Sequence, residues 1–235
     1  MELAEALVDG HDPATGIYEQ FSGFHALEPL LIAEIASRPV AADALLGAAR
    51  TRAAQVLKQP DVLMLHYLVP EEVAQGSLSA NLDHYEPRTA LGSTLAPGVH
   101  AALLARSGRL EQALELLRLT ARIDLDDIGQ TTAGGVHMAA MGSLWRAFAF
   151  GFAGLRPLPD GTLAIDPVAV PGLDELELRV RFRDSRVRLR IRAGEAEVSA
   201  SPPITVATAG EAKVEVGSSG VTFDHSATTE RKRAT

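Results

Sequence analysis

The chain has 235 residues, a hydrophobic fraction of 46%, no cysteine and a formal net charge of −8. This length suits one large domain or two small ones, the lack of cysteine excludes disulfides and thiolate chemistry, and the negative charge disfavours non-specific nucleic-acid binding. No run reaches the roughly 18 apolar residues of a membrane helix, and the acidic start lacks the basic region of a signal peptide. We therefore expect a soluble, cytoplasmic protein that binds neither nucleic acid nor membrane.

The first 24 residues are predicted to form a loop or short strand, because glycine and proline recur there. Glu19 and Gln20 lie between the aromatic residues Tyr18, Phe21 and Phe24. Two interpretations remain open for this segment. The polar pair could bind sugar hydroxyls, or it could belong to an ordered loop that the aromatic side chains pack.

Helical patterns recur between residues 27 and 155. Apolar spacing predicts helices over residues 27–35, 42–57, 62–69, from 70 toward 83, 98–105, 109–125 and a long stretch after 137. Asp61 is expected to cap the third helix. Lys58 and Gln59, just before it, could bind a ligand or be solvated. The last helix is apolar on all sides, which predicts burial in a larger core.

Two polar, glycine-bearing loops, residues 83–94 and 131–138, are separated by a pair of helices. Antiparallel helices return the chain to the same end, so both loops are expected to meet at one rim. Ser93, Thr94, Gly135 and His137 could bind phosphate there through hydroxyl, backbone N–H and imidazole groups. The alternative is an ordinary pair of inter-helix loops.

Glu86 is the best-placed carboxylate for acid–base chemistry. It precedes Pro87 in an extended loop, and Arg88 is expected to keep it ionised, which suits a base or a hydroxyl acceptor better than a proton donor. A purely structural pair between Glu86 and Arg88 is the alternative.

Motifs for metals and nucleotides are absent from the sequence, which has no Walker loop, dinucleotide fingerprint, metal-spaced histidine pair or Gly-x-Ser-x-Gly elbow. Asp124, Asp126 and Asp127 are close together but lack the spacing of a calcium loop. We therefore predict a polar loop at these residues, no metal and no cofactor.

The composition changes at Gly154, and a turn-rich boundary follows at residues 156–161. Short alternating runs then predict strands at 163–165, 176–182, 187–191, 196–199, 204–207 and 212–216, arranged as an antiparallel sandwich. The predicted fold class is α+β. Its domains are a helical part over residues 1–155, a β-sandwich over 156–224 and a disordered tail over 225–235.

Arginines alternate with apolar residues in the two longest predicted strands. A two-residue turn at Asp184 and Ser185 would set Arg183 opposite Arg186 and place seven arginines on one face. These are Arg179, Arg181, Arg183, Arg186, Arg188, Arg190 and Arg192. The face could bind an anionic polymer, or it could be a solvated outer surface. We favour the second, because four acids share the face: Glu175, Glu177, Glu195 and Glu197.

Several short motifs, in order, resemble the C-terminal part of glycoside hydrolase family 65. This family includes maltose, trehalose, kojibiose and nigerose phosphorylases and some hydrolases. The matching segments are Thr-Gly-Ile-Tyr-Glu-Gln-Phe at 15–21, Lys-Gln-Pro-Asp-Val at 58–62, Tyr-Glu-Pro-Arg-Thr at 85–89, Thr-Ala-Arg-Ile-Asp-Leu-Asp-Asp at 120–127 and Gly-Val-His at 135–137. They cover roughly residues 11–155.

The resemblance implies a partial (α/α) six-hairpin barrel followed by the family's small sandwich. It implies that Lys58 and Gln59 contact a sugar, and that Ser93, Thr94 and His137 line a phosphate pocket. The implied substrate is an α-linked glucose disaccharide, with inorganic phosphate as a co-substrate and no other cofactor.

Glu86 matches the general base of the family's hydrolases, but two departures from the family pattern stand out. The family's phosphate loop reads His-x-Ser-Ser-Leu-Ser, whereas residues 91–96 read Leu-Gly-Ser-Thr-Leu-Ala. In the family, the general-acid glutamate lies upstream of the segment that matches residues 15–21. The family's N-terminal sandwich and about half of its barrel also precede that segment. Three hypotheses follow: a piece of an inverting glycoside phosphorylase or hydrolase that is active only with an upstream half, a truncated remnant that binds sugar or a partner without turnover, and an unrelated helical module. The expected partners are a small sugar and either an upstream half-barrel polypeptide or a second copy of the chain.

Overall fold

The computed structural model of the chain describes residues 9–208 and 212–225. The predicted tail beyond residue 225 therefore lies outside the described residues. In the described ranges, no helix has the length and apolar character needed to cross a lipid bilayer.

The first part of the described chain is helical after a two-stranded hairpin. The hairpin pairs β1, His11–Asp12, with β2, Ile17–Tyr18. The α-helices are α1 Ile32–Ile35, α2 Ala42–Leu46, α3 Ala48–Ala53, α4 Asp61–Leu68, α5 Ser77–Tyr85, α6 Ala96–Arg106, α7 Leu110–Arg122 and α8 Met138–Arg146. The 3₁₀-helices Phe24–Ala26 and Thr132–Gly134 and the π-helix Ala147–Phe152 complete this part. The predicted loop-and-strand character of the N-terminal residues is confirmed where they are described.

The first two predicted helices are wrong in extent. Only α1 forms within residues 27–35, because Leu27 is extended and Pro29 follows closely. The helix expected over 42–57 splits into α2 and α3 at Gly47, whose φ is +76°. Ala54 is extended, with φ −113° and ψ 157°, and Ala54 and Leu57 instead form backbone bridges to Glu28 and Thr89.

Two helix starts also differ from the sequence prediction. The helix expected from residue 70 begins only at Ser77, because turns occupy the preceding residues and Gly76 adopts a left-handed φ of +81°. Asp61 begins α4 but does not cap it. The Gln20 side-chain oxygen instead accepts the Val62 backbone N–H at 3.3 Å.

Helix α6 is the centre of the helical part. All of its residues from Ala96 to Ala105 are buried, and α4, α7, α8 and the π-helix contact it. Gly151 permits the close approach of the π-helix, since a Cβ there would lie 2.7 Å from the Cα of Ala102. Burial of α8 on all sides was predicted wrongly: Met138 is 72% exposed and Trp145 is 50% exposed.

The remaining described residues form two four-stranded sheets that share one apolar core. One sheet has the order β10-β7-β6-β5 and the other β3-β4-β8-β9. The strands are β3 Arg156–Pro157, β4 Leu163–Ile165, β5 Leu176–Phe182, β6 Ser185–Arg192, β7 Glu195–Ser201, β8 Ile204–Thr208, β9 Val214–Val216 and β10 Val221–Asp224. All pairs are antiparallel except β4 and β8, which run parallel. Alternation along single strands could not reveal that exception.

The β5–β6 hairpin confirms the arginine face but shifts its turn by one residue. Phe182 pairs with Ser185, so Arg183 and Asp184 form the turn, and Arg183 has a φ of +53°. The register moves by two residues, which leaves every strand side chain on its predicted face. Arg183 therefore no longer belongs to the arginine face, and the other six arginines form a stripe along the hairpin. The Arg183 guanidinium lies 5.7 Å from the centre of the Phe182 ring.

The last described residue, directly after β10, is bonded to the turn between β6 and β7. His225 is buried, and its backbone N–H donates to the Gly194 carbonyl at 2.9 Å. Its ring Nε2 lies 3.0 Å from the Arg192 carbonyl oxygen. The predicted start of the disordered tail at residue 225 is therefore wrong.

Candidate functional site

Three helices of the core begin directly after the loops that the sequence singled out. Lys58 and Gln59 precede α4, Ser93 and Thr94 precede α6, and His137 precedes α8. Because α4 and α8 both contact α6, the chain delivers these polar side chains to the starts of neighbouring helices. Helix starts also present unpaired backbone N–H groups.

The loops before α4 and α6 meet through backbone and side-chain hydrogen bonds. The Leu57 N–H donates to the Arg88 carbonyl at 3.1 Å, and the Ala90 N–H donates to the Leu57 carbonyl at 2.9 Å. This bridge aligns the two loops. The Gln59 Nε2 then donates to the Ser93 Oγ at 2.9 Å. A residue predicted to contact sugar and a residue predicted to contact phosphate are thus in direct contact.

Ser93 and Thr94 line a cavity of about 240 Å³. Leu91, Gly92 and Pro97 contribute to its wall from the same stretch, and Ile128 and Gly129 contribute from the chain just before the second loop. Gly135 and His137 do not line this cavity, nor does any other residue of the second loop, so the meeting of the two loops at one rim stays a prediction. Gly135 is exposed with a φ of +120°.

His137 is held by Asp124, which the sequence did not single out as a site residue. The Asp124 carboxylate accepts the His137 backbone N–H at 2.9 Å through Oδ2 and contacts the ring Nδ1 at 2.5 Å through Oδ1. An ionised carboxylate can only accept, so Nδ1 carries the proton. The other ring nitrogen, Nε2, lies 3.2 Å from the Thr131 Oγ. The hydrogen bond from His137 lowers the pKa of the Asp124 carboxyl.

Glu86 has a different partner from the one predicted. Its Oε1 accepts a hydrogen bond from Arg38 Nη2 at 2.7 Å, and Arg38 Nη1 donates to the Glu86 carbonyl at 2.7 Å. Arg88 turns away and donates to Gln55 Oε1 at 3.2 Å and to the His84 carbonyl at 2.7 Å. The predicted pair of Glu86 with Arg88 is therefore wrong.

Glu86 also opens on a separate cavity of about 730 Å³. Glu34, Arg38 and Glu115 line that cavity with it, whereas Gln59 and Ser93 do not. The structure thus brings Gln59, Ser93 and Thr94 together and places Glu86 in a different cavity. A carboxylate bound to guanidinium is positioned as an acceptor of hydrogen bonds.

The N-terminal polar pair makes contacts within the protein. Glu19 Oε1 accepts the backbone N–H groups of Gly23 and His25, both at 3.1 Å. Gln20 Nε2 donates to Asp61 Oδ2 at 2.8 Å. These bonds favour the interpretation of an ordered loop that supports the start of α4. Lys58 is exposed at the end of the neighbouring loop.

The comparisons with known proteins agree with the fold. Residues 2–146 match the model of the glycosyl hydrolase family 65 central catalytic domain, and residues 155–216 match the family's C-terminal domain. These matches define a carbohydrate-active protein. The first model alone covers more than half of the chain, so the chain belongs to glycosyl hydrolase family 65.

Similar proteins include sugar phosphorylases. A kojibiose phosphorylase of Escherichia coli (strain K12) is 32% identical over 157 residues, which are 67% of this chain and 21% of that protein. A maltose phosphorylase of Bacillus subtilis (strain 168) is 37% identical over 128 residues, 54% of this chain and 17% of that protein. A solved structure described as a putative kojibiose phosphorylase from human microbiome matches 94% of this chain and 31% of its own, with a TM-score of 0.85 and 25% identity. The chain thus spans less than a third of the length of each of these proteins.

Sequence reasoning missed two residues that shape the candidate site. Asp124 lies inside the family-like segment 120–127, which offered a signal for its importance but none for its contact with His137. Arg38 follows Ser37 and precedes Pro39 with no motif around it. Its contact with Glu86 spans 48 residues, so nothing local could have indicated it.

Proposed function

We propose that this chain is the C-terminal part of the catalytic unit of an inverting α-glucoside phosphorylase, and that an upstream half completes the (α/α) barrel. The Gln59–Ser93 hydrogen bond of 2.9 Å carries the proposal. It places the amide that would bind glucose beside the hydroxyl that would bind phosphate. A phosphorylase needs this proximity, because phosphate must attack the carbon of the bound sugar.

Ser93 is arranged to donate a hydrogen bond. Its Oγ accepts from Gln59 Nε2 and, at 3.4 Å, from the Leu95 backbone N–H. Its own hydroxyl proton remains available to an anion, and the adjoining start of α6 favours negative charge. His137, oriented by Asp124, would supply a second group to phosphate from outside the cavity at Ser93, at the start of the neighbouring helix α8.

The proton donor for the leaving sugar oxygen is proposed to lie in the upstream half. Glu86 is unsuited to that step, because Arg38 holds its carboxylate as a hydrogen-bond acceptor. Inverting chemistry needs a general acid on the face of the sugar opposite the nucleophile. In this proposal phosphate is the nucleophile and Glu86 stabilises the loop between α5 and α6.

The decisive experiment mixes the full chain with a separately purified N-terminal fragment of a family 65 phosphorylase that ends before the matched region. Release of β-glucose 1-phosphate from kojibiose, maltose and trehalose is measured with inorganic phosphate. We expect no release by the chain alone and release by the mixture. Turnover by the chain alone would show that the proton donor has been misassigned.

Matched serine variants locate the phosphate contact within that mixture. Ser93→Ala should raise the KM for phosphate by at least tenfold. Ser107→Ala should leave it unchanged, since its hydroxyl only donates to the Leu104 carbonyl at the end of α6. Glucose binding by the chain, seen by calorimetry without turnover in any mixture, would favour a sugar-binding remnant instead.

A further inference from the structure

A third cavity lies at the opposite ends of the helices that carry the candidate site. It has a volume of about 650 Å³ and is lined by the last residues of α4 and α6, by the π-helix and by strands β3, β4 and β8. Helices α4 and α6 contain 8 and 11 residues. The cavity is therefore on the order of 12–16 Å from the loops before them, at about 1.5 Å per residue.

Arg146 is the distinctive group in this cavity. Its guanidinium lies between two aromatic rings, 4.5 Å from the centre of Tyr67 and 4.6 Å from the centre of Phe150. Within residues 9–208 and 212–225, its buried Nε has no hydrogen-bond partner and no carboxylate forms an ion pair with it. The two aromatic neighbours restrict the guanidinium, and its unpaired Nε and uncompensated charge can serve an oxyanion.

The charges around the cavity leave a positive excess. Arg106, Arg146 and Arg156 line it together with only two acids, Glu71 and Asp166. Arg106 and Asp166 form an ion pair with each other. Burial, and then the nearby charge of Arg156, lower the pKa of Arg106 to about 10. An anion in the cavity would relieve this repulsion.

A simpler role for Arg146 would be to neutralise the negative end of a helix dipole. The structure argues against this role for the helix that carries Arg146, because α8 continues without a break into the π-helix Ala147–Phe152. Arg146 therefore lies inside a continuous helical segment, where no free terminal carbonyl groups need a cation. Short π-helical stretches are also frequent at functional sites.

We propose that this cavity is a second ligand site, which binds a small organic anion carrying a phosphate or carboxylate group with Arg146 as its anchor. The guanidinium edge takes the oxyanion, and Arg156 adds positive charge at the mouth. Leu68, Leu78 and Leu103 supply an apolar wall that suits the organic body of the ligand. This site is separate from the sugar and phosphate loops and does not depend on the proposed function.

The test is isothermal titration calorimetry of the full chain with glucose 6-phosphate and with inorganic phosphate, in the His137→Ala background. Arg146→Met should weaken glucose 6-phosphate binding at least tenfold, and Arg156→Met should weaken it severalfold. Arg179→Met is the matched control, since that exposed arginine pairs with Glu177 on the sandwich, and it should change binding less than twofold.

Circular dichroism must show each variant folded. If Arg146→Met does not fold, the exposed Arg156→Met decides the outcome. Binding that is unchanged in a folded Arg146→Met or Arg156→Met variant would overturn the proposal. So would the loss of all glucose 6-phosphate binding on His137→Ala alone, because a single site at the loops would then explain the binding.

Discussion

At the scale of single residues, a few contacts determine the chemistry that each candidate group can perform. Asp124 accepts two hydrogen bonds from His137 and thereby selects the tautomer of its ring. Arg38 binds both the side chain and the carbonyl of Glu86, which makes that glutamate part of the loop's scaffold. The roles of His137 and Glu86 therefore follow from their hydrogen-bond partners and not from their residue types.

Removing the His137 ring should raise the pKa of Asp124. The hydrogen bond from that ring is the largest cause of the pKa lying below its ordinary value of 3.8. His137→Ala should therefore return the Asp124 pKa toward 3.8, as measured by carbon NMR titration of the carboxyl group. A pKa lowered in the folded state stabilises the fold above pH 3.8 and loses this effect as the pH falls through the folded value.

Asp127 provides an internal control in the same titration. Its pKa is lowered mainly by the Thr132 backbone N–H, and His137 contributes least. Its pKa should change less than that of Asp124. Equal pKa changes of Asp124 and Asp127 would indicate that the loop had rearranged. An unchanged pKa of Asp124 would contradict its assigned contact with His137.

Gly92 is required by a close backbone approach beside Ser93. A Cβ at this position would overlap the Val40 carbonyl oxygen and lie 3.0 Å from the Val40 carbonyl carbon. Gly92→Ala should destabilise the fold by roughly 1–3 kcal/mol, the usual range for overpacking, as measured by urea denaturation. Gly142→Ala is the control, because nothing lies within 4 Å of its Cβ position, and it should be neutral or stabilising.

At the scale of elements, the β5–β6 hairpin shows how a like-charged stripe is balanced. Glu177 Oε2 lies 2.7 Å from Arg188 and 3.3 Å from Arg190. Glu175 pairs with Arg192 at 2.7 Å. These ion pairs support the predicted solvated face over an anion-binding surface in the middle of the stripe. Near the turn, Arg181 faces Arg186 directly.

Two charge reversals in this hairpin should act in opposite directions. Arg186→Glu would replace an opposed pair of like charges with a cross-strand ion pair, and it should stabilise the fold by roughly a few tenths of a kcal/mol. Arg188→Glu should destabilise it, because Arg188 supplies the main hydrogen bond that lowers the pKa of Glu177 to about 2. Urea midpoints of the two variants provide the comparison.

The same pair of variants tests whether the β-sheet part of the chain contributes to binding sugar or phosphate. Neither change should alter the KM for sugar or phosphate in the reconstituted mixture, since no arginine of this stripe lines the cavity at Ser93. A large loss of sugar binding in Arg188→Glu would place the sandwich in the site. Equal urea midpoints for both variants would mean that the strand register of β5 and β6 does not determine how these charges affect stability.

At the scale of the whole molecule, one face of α8 is left exposed by the described fold. Met138 and Trp145 are seven residues apart, so they lie on one side of the helix. Both are largely exposed, and large contiguous apolar surfaces commonly mark interfaces. This face is where the proposed upstream half would dock, and its exposure also favours self-association of the isolated chain.

The single tryptophan of the chain allows this docking to be measured. Adding the complementing N-terminal fragment should shift Trp145 emission to shorter wavelength and reduce its quenching by acrylamide, with the fragment's tryptophans replaced by phenylalanine. Met138→Glu should weaken the effect with little loss of stability, because that side chain is 72% exposed. Leu173→Glu, in the loop before β5, should not weaken it. Restored activity with unchanged Trp145 emission would rule out this face.

The amino-acid sequence by itself determined the family, the order of a helical part before a sheet-rich part, and the faces of the long strands. Motifs and periodicities are properties of neighbouring residues, so they can be read without coordinates. Only the tertiary structure decided that Glu86 binds Arg38, that Gln59 meets Ser93 across 34 residues, that β4 and β8 run parallel, and that Arg146 lies between Tyr67 and Phe150. Each of these joins segments far apart in the chain, and their pairing depends on how the whole core packs.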